Sequence, residues 1–185
     1  MYLFNEKDLF NSIKQCWASL FTPRAIFYRF ENKMHKQKVS VAVVVQKMIQ
    51  SEVSGITFTV HPVTEDKDQM IIEAGYGLGE AIVGGRITPD TYVISKKKKK
   101  ILDKNISSQS MMIVRSPKGI KETNVPKAKQ DKQKMSDKQI TRLVEICKQI
   151  EKHYKFPCDI EWAIEKNKIY IVQSRPITTL SFKTV

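Results

Sequence analysis

Residues able to do chemistry gather in three places in this sequence. The first is Ile71 to Gly85, IIEAGYGLGEAIVGG, which holds Gly75, Gly77, Gly79, Gly84 and Gly85 of the chain's seven glycines. Glycine lacks Cβ and tolerates positive φ, so such a loop can approach a ligand closely. GYGLGE matches neither the dinucleotide fingerprint nor the phosphate loop that ends in Gly-Lys-Ser/Thr. A tight strand-to-helix connection fits these glycines as well as a ligand loop does. The second place is Asp159 to Pro176, DIEWAIEKNKIYIVQSRP. Strand alternation sets Asp159, Glu161 and Ala163 on one face and Ile160, Trp162 and Ile164 on the other. Gln173 and Arg175 share a face of the return strand, and the register decides whether it is the face of Glu161. A three-residue loop Glu165-Lys166-Asn167, with Asn167 left-handed, sets Asp159 opposite Gln173 and Glu161 opposite Ile171. Two carboxylates, an amide and a guanidinium then suit magnesium triphosphate, because hard oxygens hold the metal and the arginine fork meets phosphate. A solvent-facing hairpin with an ordinary ion pair fits the same spacing. The third place is Gln46-Lys47-Met48, a polar break at the end of an apolar run. Such a strand end can offer main-chain groups to the edge of a purine and flat apolar contact to its faces, although Met48 equally suits a core.

These residues need elements to position them. From Asn5 the spacing of Leu9, Ile13, Cys16, Trp17 and Leu20 predicts a helix, and Thr22-Pro23 supplies an N-cap and a first-turn proline for a second helix to about Asn32. Val39 to Ile49, Gly55 to Val60 and Gln69 to Ala74 read as core strands. Tyr92 to Ser95, Lys100 to Asp103 and Met111 to Val114 read as shorter ones between turns. Ser136 and Gln139 form a capping box ahead of the stripe Ile140, Leu143, Val144, Cys147, Ile150 and Tyr154. Strands Cys158 to Ile164 and Ile169 to Gln173 close the chain. The expectation is one domain over residues 1–185, with 84–136 a lysine-rich β excursion at its periphery.

Composition narrows the class. At 185 residues and 41% hydrophobic the chain can fill one core. Cys16, Cys147 and Cys158 are too few and scattered for a disulfide framework or a metal motif, which fits a reducing cytoplasm. No run approaches the roughly 20 apolar residues that span a bilayer. The net charge of +13 raises the question of an anionic partner. Yet the lysines, including the run Lys96 to Lys100, are not interleaved with aromatics, and no nucleic-acid motif occurs. A solvated lysine-rich face is the plainer reading.

In order along the chain, VVVQKM, SGITFTVHPVT, IIEAGYGLGEAIVGGRITPDTYVI and DIEWAIEKNKIYIVQSRPIT resemble the ATP-binding domain of the phosphoenolpyruvate synthase family. Pyruvate phosphate dikinase, rifampin phosphotransferase and the glucan dikinases share it. The resemblance runs from about Asn5 to Leu180, and the DIEW to QSRPIT block is its specific part. It implies an α+β fold, the C-terminal lobe of an ATP-grasp, with a mixed or antiparallel sheet and flanking helices. It implies ATP and Mg2+ as ligands. The family's metal and phosphate ligands fall on Glu161 and Gln173, with Arg175 and Asp159 beside them. Arg175 is the residue placed on the transferring phosphate, Glu80 is the acidic loop residue, and Gln46, Lys47 and Met48 are the adenine hinge.

The resemblance further implies a phosphotransferase in which ATP phosphorylates a histidine on another domain for transfer to pyruvate. The family's upstream lobe, with a phosphate-binding lysine and an Arg-Ser-Ser loop, has no counterpart before Asn5. His35, His61 and His153 do not match its phosphohistidine motif. Phosphoryl transfer rests on positioning and charge neutralisation, so the expectation is weak nucleotide binding with little turnover. A separate chain carrying the missing lobe and histidine domain, or a remnant that binds ATP or a partner without chemistry, are the two outcomes left open.

Overall fold

The computed structural model describes Leu3 and residues 5–117 and 119–180. The elements, in chain order, are α1 (Glu6–Ala18), a 3-10 turn (Ser19–Phe21), α2 (Pro23–Glu31), β1 (Val53–Phe58), β2 (Gln69–Tyr76), α3 (Glu80–Val83), β3 (Asp90–Ser95), β4 (Lys100–Asn105), β5 (Met111–Ser116), β6 (Gly119–Asn124), α4 (Lys127–Gln130), α5 (Asp137–Tyr154), β7 (Cys158–Glu165) and β8 (Lys168–Pro176). They divide into two compact units, Met1–Met48 with Pro117–Gly119, and Ile49–Ser116 with Ile120–Val185.

In the first unit side-chain caps set the helix starts, the one at Thr22 as predicted from sequence and a further one at Asn5. The Asn5 side chain accepts the Asp8 N–H at 2.9 Å, and Thr22 caps α2 with Pro23 in its first turn. Neither helix buries a residue. The strand expected over Val39 to Ile49 does not form; residues 38–51 are neither helix nor strand. β-branched residues favour extended backbone, but a strand exists only through its ladder, and no described segment pairs with this one.

The second unit is a six-stranded sheet in the order β4-β3-β2-β1-β7-β8, every recorded pairing antiparallel, with the pair β5-β6 as a separate two-stranded sheet. The α+β expectation holds. Alternation delivers one face of this sheet to a core: Met70, Ile72 and Ala74 from β2, Tyr92 and Ile94 from β3, and Ile160, Trp162 and Ile164 from β7. α5 covers that face with Ile140, Leu143, Val144 and Cys147. Its start is fixed by the capping box of Ser136 and Gln139, and its end by Lys155 in the left-handed conformation at φ 62. Gly55 is required where Trp162 crosses β1, since an added Cβ would stand 2.4 Å from the indole Cζ2.

Segment 84–136 supplies β3 to β6. Most of its lysines are exposed, whereas Ile113, Val125 and Met135 are buried, and Lys134 is fully buried against Asp90 at 2.8 Å. Lys96 at the β3–β4 turn is also turned inward, donating to the Thr59 carbonyl at 2.7 Å and to Glu151 at 3.0 Å. Among the described residues no helix is long and apolar enough to cross a membrane.

Candidate functional site

Antiparallel register sorts the polar residues of the second unit onto the sheet face away from α5. Ile56 of β1 lies opposite Glu73 of β2 on one side and Glu161 of β7 on the other. Glu161 in turn lies opposite Gln173 of β8. Residues directly opposite one another point to the same face. One row across the sheet is therefore Glu73, Ile56, Glu161 and Gln173. The neighbouring row is Ile71, Phe58, Asp159 and Arg175.

The pairing within the last hairpin corrects the sequence-based register. The turn has two residues, not three: Lys166 (φ 49) and Asn167 (φ 61) are both left-handed, and Glu165 pairs with Lys168. Continued unchanged, this register would put Gln173 opposite Ile160, on the core face. A bulge intervenes, and the pairing advances by one between Trp162 opposite Ile171 and Glu161 opposite Gln173. Asp159 consequently faces Arg175 and not Gln173, while Ile171 meets Trp162 and packs on the core.

Arg175 donates from Nε to Asp159 Oδ2 at 2.8 Å, and its Nη2 stands 2.7 Å from the same oxygen as an ion pair. The arginine side chain is 61% exposed and the aspartate side chain 9%. This leaves the guanidinium accessible while its carboxylate is held inside. The other oxygen, Asp159 Oδ1, is buried with no hydrogen-bond partner. A buried acceptor in that state is costly, which makes it a place for a cation or donor. Glu73, half-buried in the next row, has its carboxyl pK raised, first by burial and then by the charge of Asp159. The face thus concentrates negative charge that a bound cation would relieve. Sequence reading passed over Glu73, although a charged residue between Ile72 and Ala74 of a core strand was a usable signal.

The glycine loop that follows β2 is held by protein. Gly77 adopts φ +86, and a Cβ there would stand 2.4 Å from the Ile113 carbonyl oxygen. Leu78 N–H donates to that same oxygen at 2.8 Å. Ser54 Oγ donates to the Gly77 carbonyl at 2.7 Å. Gly79 is different: its Cβ position finds only Ser54 atoms at 3.7 and 3.8 Å. Close packing explains Gly77, and Gly79 leaves room beside Glu80, which is exposed at the first position of α3.

The site residues expected from sequence therefore fall into three sets. Asp159, Glu161, Gln173 and Arg175 stand together on one hairpin face. Glu80 sits on the loop beyond β2. Gln46, Lys47 and Met48 lie in the other unit, with Gln46 and Lys47 exposed and Met48 half-buried, on an extended segment without strand pairing. Among the described residues no group of three or more His, Cys, Asp or Glu side chains is placed to hold a metal ion by itself. The donors on the face, Asp159 Oδ1, Glu161 and the Gln173 amide, are hard oxygens of the type that magnesium takes in company with phosphate oxygens.

A family model described as pyruvate phosphate dikinase, AMP/ATP-binding domain, matches residues 1–185. A probable phosphoenolpyruvate synthase of Archaeoglobus fulgidus is 50% identical over 175 residues, covering 95% of this chain and 23% of the relative. The phosphoenolpyruvate synthase of Pyrococcus furiosus is 44% identical over 182 residues, with 94% and 22% covered. A rifampicin phosphotransferase of Bacillus subtilis is 43% identical over 169 residues, with 91% and 19% covered. The chain spans less than a quarter of the length of these relatives.

Proposed function

Because the chain belongs to the pyruvate phosphate dikinase AMP/ATP-binding domain family, we propose that its polar sheet face binds ATP with Mg2+ as part of a phosphoenolpyruvate synthase-like phosphotransferase. The observation that carries this is the pairing of Glu161 with Gln173 and Asp159 with Arg175 in adjacent rows of one face. Glu161 and Gln173 would hold the magnesium, and Asp159 Oδ1 would turn towards it. When bound, the metal supplies charge neutralisation for the triphosphate.

Arg175 has a fork of donors, part of it engaged by Asp159 and the rest open to solvent. It would meet the phosphate oxygens and stabilise charge that develops on the transferring group, with Asp159 keeping the guanidinium oriented. Glu80 would close the site from the loop, and the family resemblance assigns the adenine edge and face to Gln46, Lys47 and Met48. The phosphoryl group would pass to a histidine on another domain and then to pyruvate, the acceptor that the relatives' names favour. Three cysteines, all unpaired, accord with a reducing cytoplasm.

Calorimetric titration of Mg-ATP at physiological salt tests the site. Glu161→Ala and Arg175→Ala should each weaken binding by about tenfold to a hundredfold, the cost of a charge-assisted contact. Lys98→Ala should leave it unchanged, because an exposed lysine attracts ATP only diffusely. Equal losses in Lys98→Ala and Arg175→Ala would mean that bulk charge holds the nucleotide, and the assignment would fail.

A further inference from the structure

One buried side chain outside the polar face is spent on the glycine loop. Gln109 is 1% exposed. Its Oε1 accepts the Tyr76 N–H at 2.8 Å, and its Nε2 donates to the Tyr76 carbonyl at 3.0 Å and to the Met111 carbonyl at 2.9 Å. Its own N–H is bound to the Gln130 carbonyl at 3.0 Å. The reason for a glutamine lies in the sheet. The β2–β3 ladder ends at Ala74 opposite Asp90, two residues before Tyr76. Beyond that point the Tyr76 backbone would face the β3 side with nothing to pair with. A primary amide carries one acceptor and two donors in a plane, as a peptide group presents them, so Gln109 extends the ladder by one residue with its side chain.

The effect is continuous with the next two residues. Gly77 N–H donates to the Glu52 carbonyl at 3.0 Å, the Gly77 carbonyl accepts from Ser54 Oγ, and Leu78 N–H donates to Ile113. Every backbone group from the Tyr76 N–H to the Leu78 N–H is therefore matched. A loop this rich in glycine is otherwise the most entropically expensive kind to order. Gly79 and Glu80 follow at once, and where they stand depends on this fixed stretch.

We infer that Gln109 is a positioning residue for the nucleotide loop, holding Tyr76 to Leu78 so that Gly79 and Glu80 are already in place when ATP arrives. The inference rests on the proposed reading of this loop as part of the ATP site.

Two variants of the full chain test it. Gln109→Glu keeps the shape but sets an oxygen against two carbonyls, and Gln109→Met keeps the length but removes all three side-chain bonds. Amide hydrogen exchange without nucleotide should speed up about tenfold or more at Tyr76, Gly77 and Leu78, with Leu143 and Val144 in α5 unchanged. Mg-ATP dissociation constants should rise about tenfold. Ser136→Ala, which removes the α5 cap, should lower the thermal midpoint and alter neither readout. Wild-type exchange at 76–78 in both Gln109 variants would overturn the inference. So would faster exchange spread equally into α5, the mark of a residue that only holds the fold. Faster loop exchange with unchanged ATP affinity, while Glu161→Ala still weakens binding, would overturn the link to nucleotide. If Glu161→Ala leaves ATP binding unchanged, it is the functional reading that fails, and loop exchange still decides whether Gln109 positions this stretch.

Discussion

Glu73 shows how one side chain links the stability of the sheet to the charge on its open face. Burial and Asp159 hold its folded-state pK above the ordinary 4.5. A carboxyl raised in this way binds its proton more tightly when folded. Its stabilising contribution is therefore complete below the unfolded value and is lost as pH rises through the folded one. Glu73→Gln cannot ionise and escapes that loss. In urea unfolding without nucleotide, the variant should match wild type near pH 4 and become progressively more stable than wild type towards pH 7. A gap that stays constant with pH, or one of opposite sign, would remove Glu73 from the charged face. Lys134 makes the contrasting case. It is buried with Asp90, whose carboxylate also accepts Tyr92 OH at 2.7 Å and Ser107 N–H at 3.0 Å, and Lys134 Nζ reaches the Ser107 carbonyl as well. Its charge is absorbed by a local network that ties the 107–135 segment to β3, far from the behaviour of the solvated lysines around it.

At the scale of elements, the β7–β8 hairpin decides which residues share the face of the candidate site. The two-residue turn fixes Ile171 on the core, and the bulge then returns Gln173 and Arg175 to the carboxylate face. Inserting one alanine directly after Val172, the residue across which the register advances, should force a choice between core and site. Either the turn-side register persists and Gln173 and Arg175 turn inward, or the site pairing persists and Ile171 leaves the core. Both outcomes cost burial or desolvation, so the urea midpoint should fall, by about 2–4 kcal/mol in stability, with Mg-ATP binding lost. Asn167→Gly preserves the left-handed turn and should be neutral by the same measurements. Retained stability together with retained ATP binding in the insertion variant would show that the bulge has no part in aiming these side chains.

For the molecule as a whole, the division into two units sets what each part can do alone. The sheet, α5 and the buried network all lie within Ile49–Ser116 and Ile120–Val185, whereas α1 and α2 bury nothing. A chain of residues 49–185 should therefore unfold in one cooperative transition, its midpoint within a few degrees of the full chain's. Differential scanning calorimetry of both would show it; a non-cooperative melt would place essential core contacts in the first 48 residues.

Much of this was legible in the chain. Capping residues Thr22 and Ser136 marked the starts of α2 and α5, since a cap is a local hydrogen bond between residues three apart. Alternation in DIEWAI separated Trp162 from Glu161 correctly, because side-chain direction along a strand depends only on parity. The α+β class came from the family resemblance, and those elements agree with it. Three things lay beyond local pattern. Val39 to Ile49 had strand propensity but no partner, and pairing is a property of two segments. Gln109 and Lys134 read as members of a polar, lysine-rich stretch, and only tertiary packing, at the end of β2 for the one and on Asp90 of β3 for the other, turned them into buried ligands of backbone and carboxylate. The site register was set by a bulge that no turn rule announces. The sequence by itself determined which residues could form a face; the tertiary structure alone decided which of them met across it, because cross-strand register is fixed by where the long-range ladders and the core let each strand come to rest.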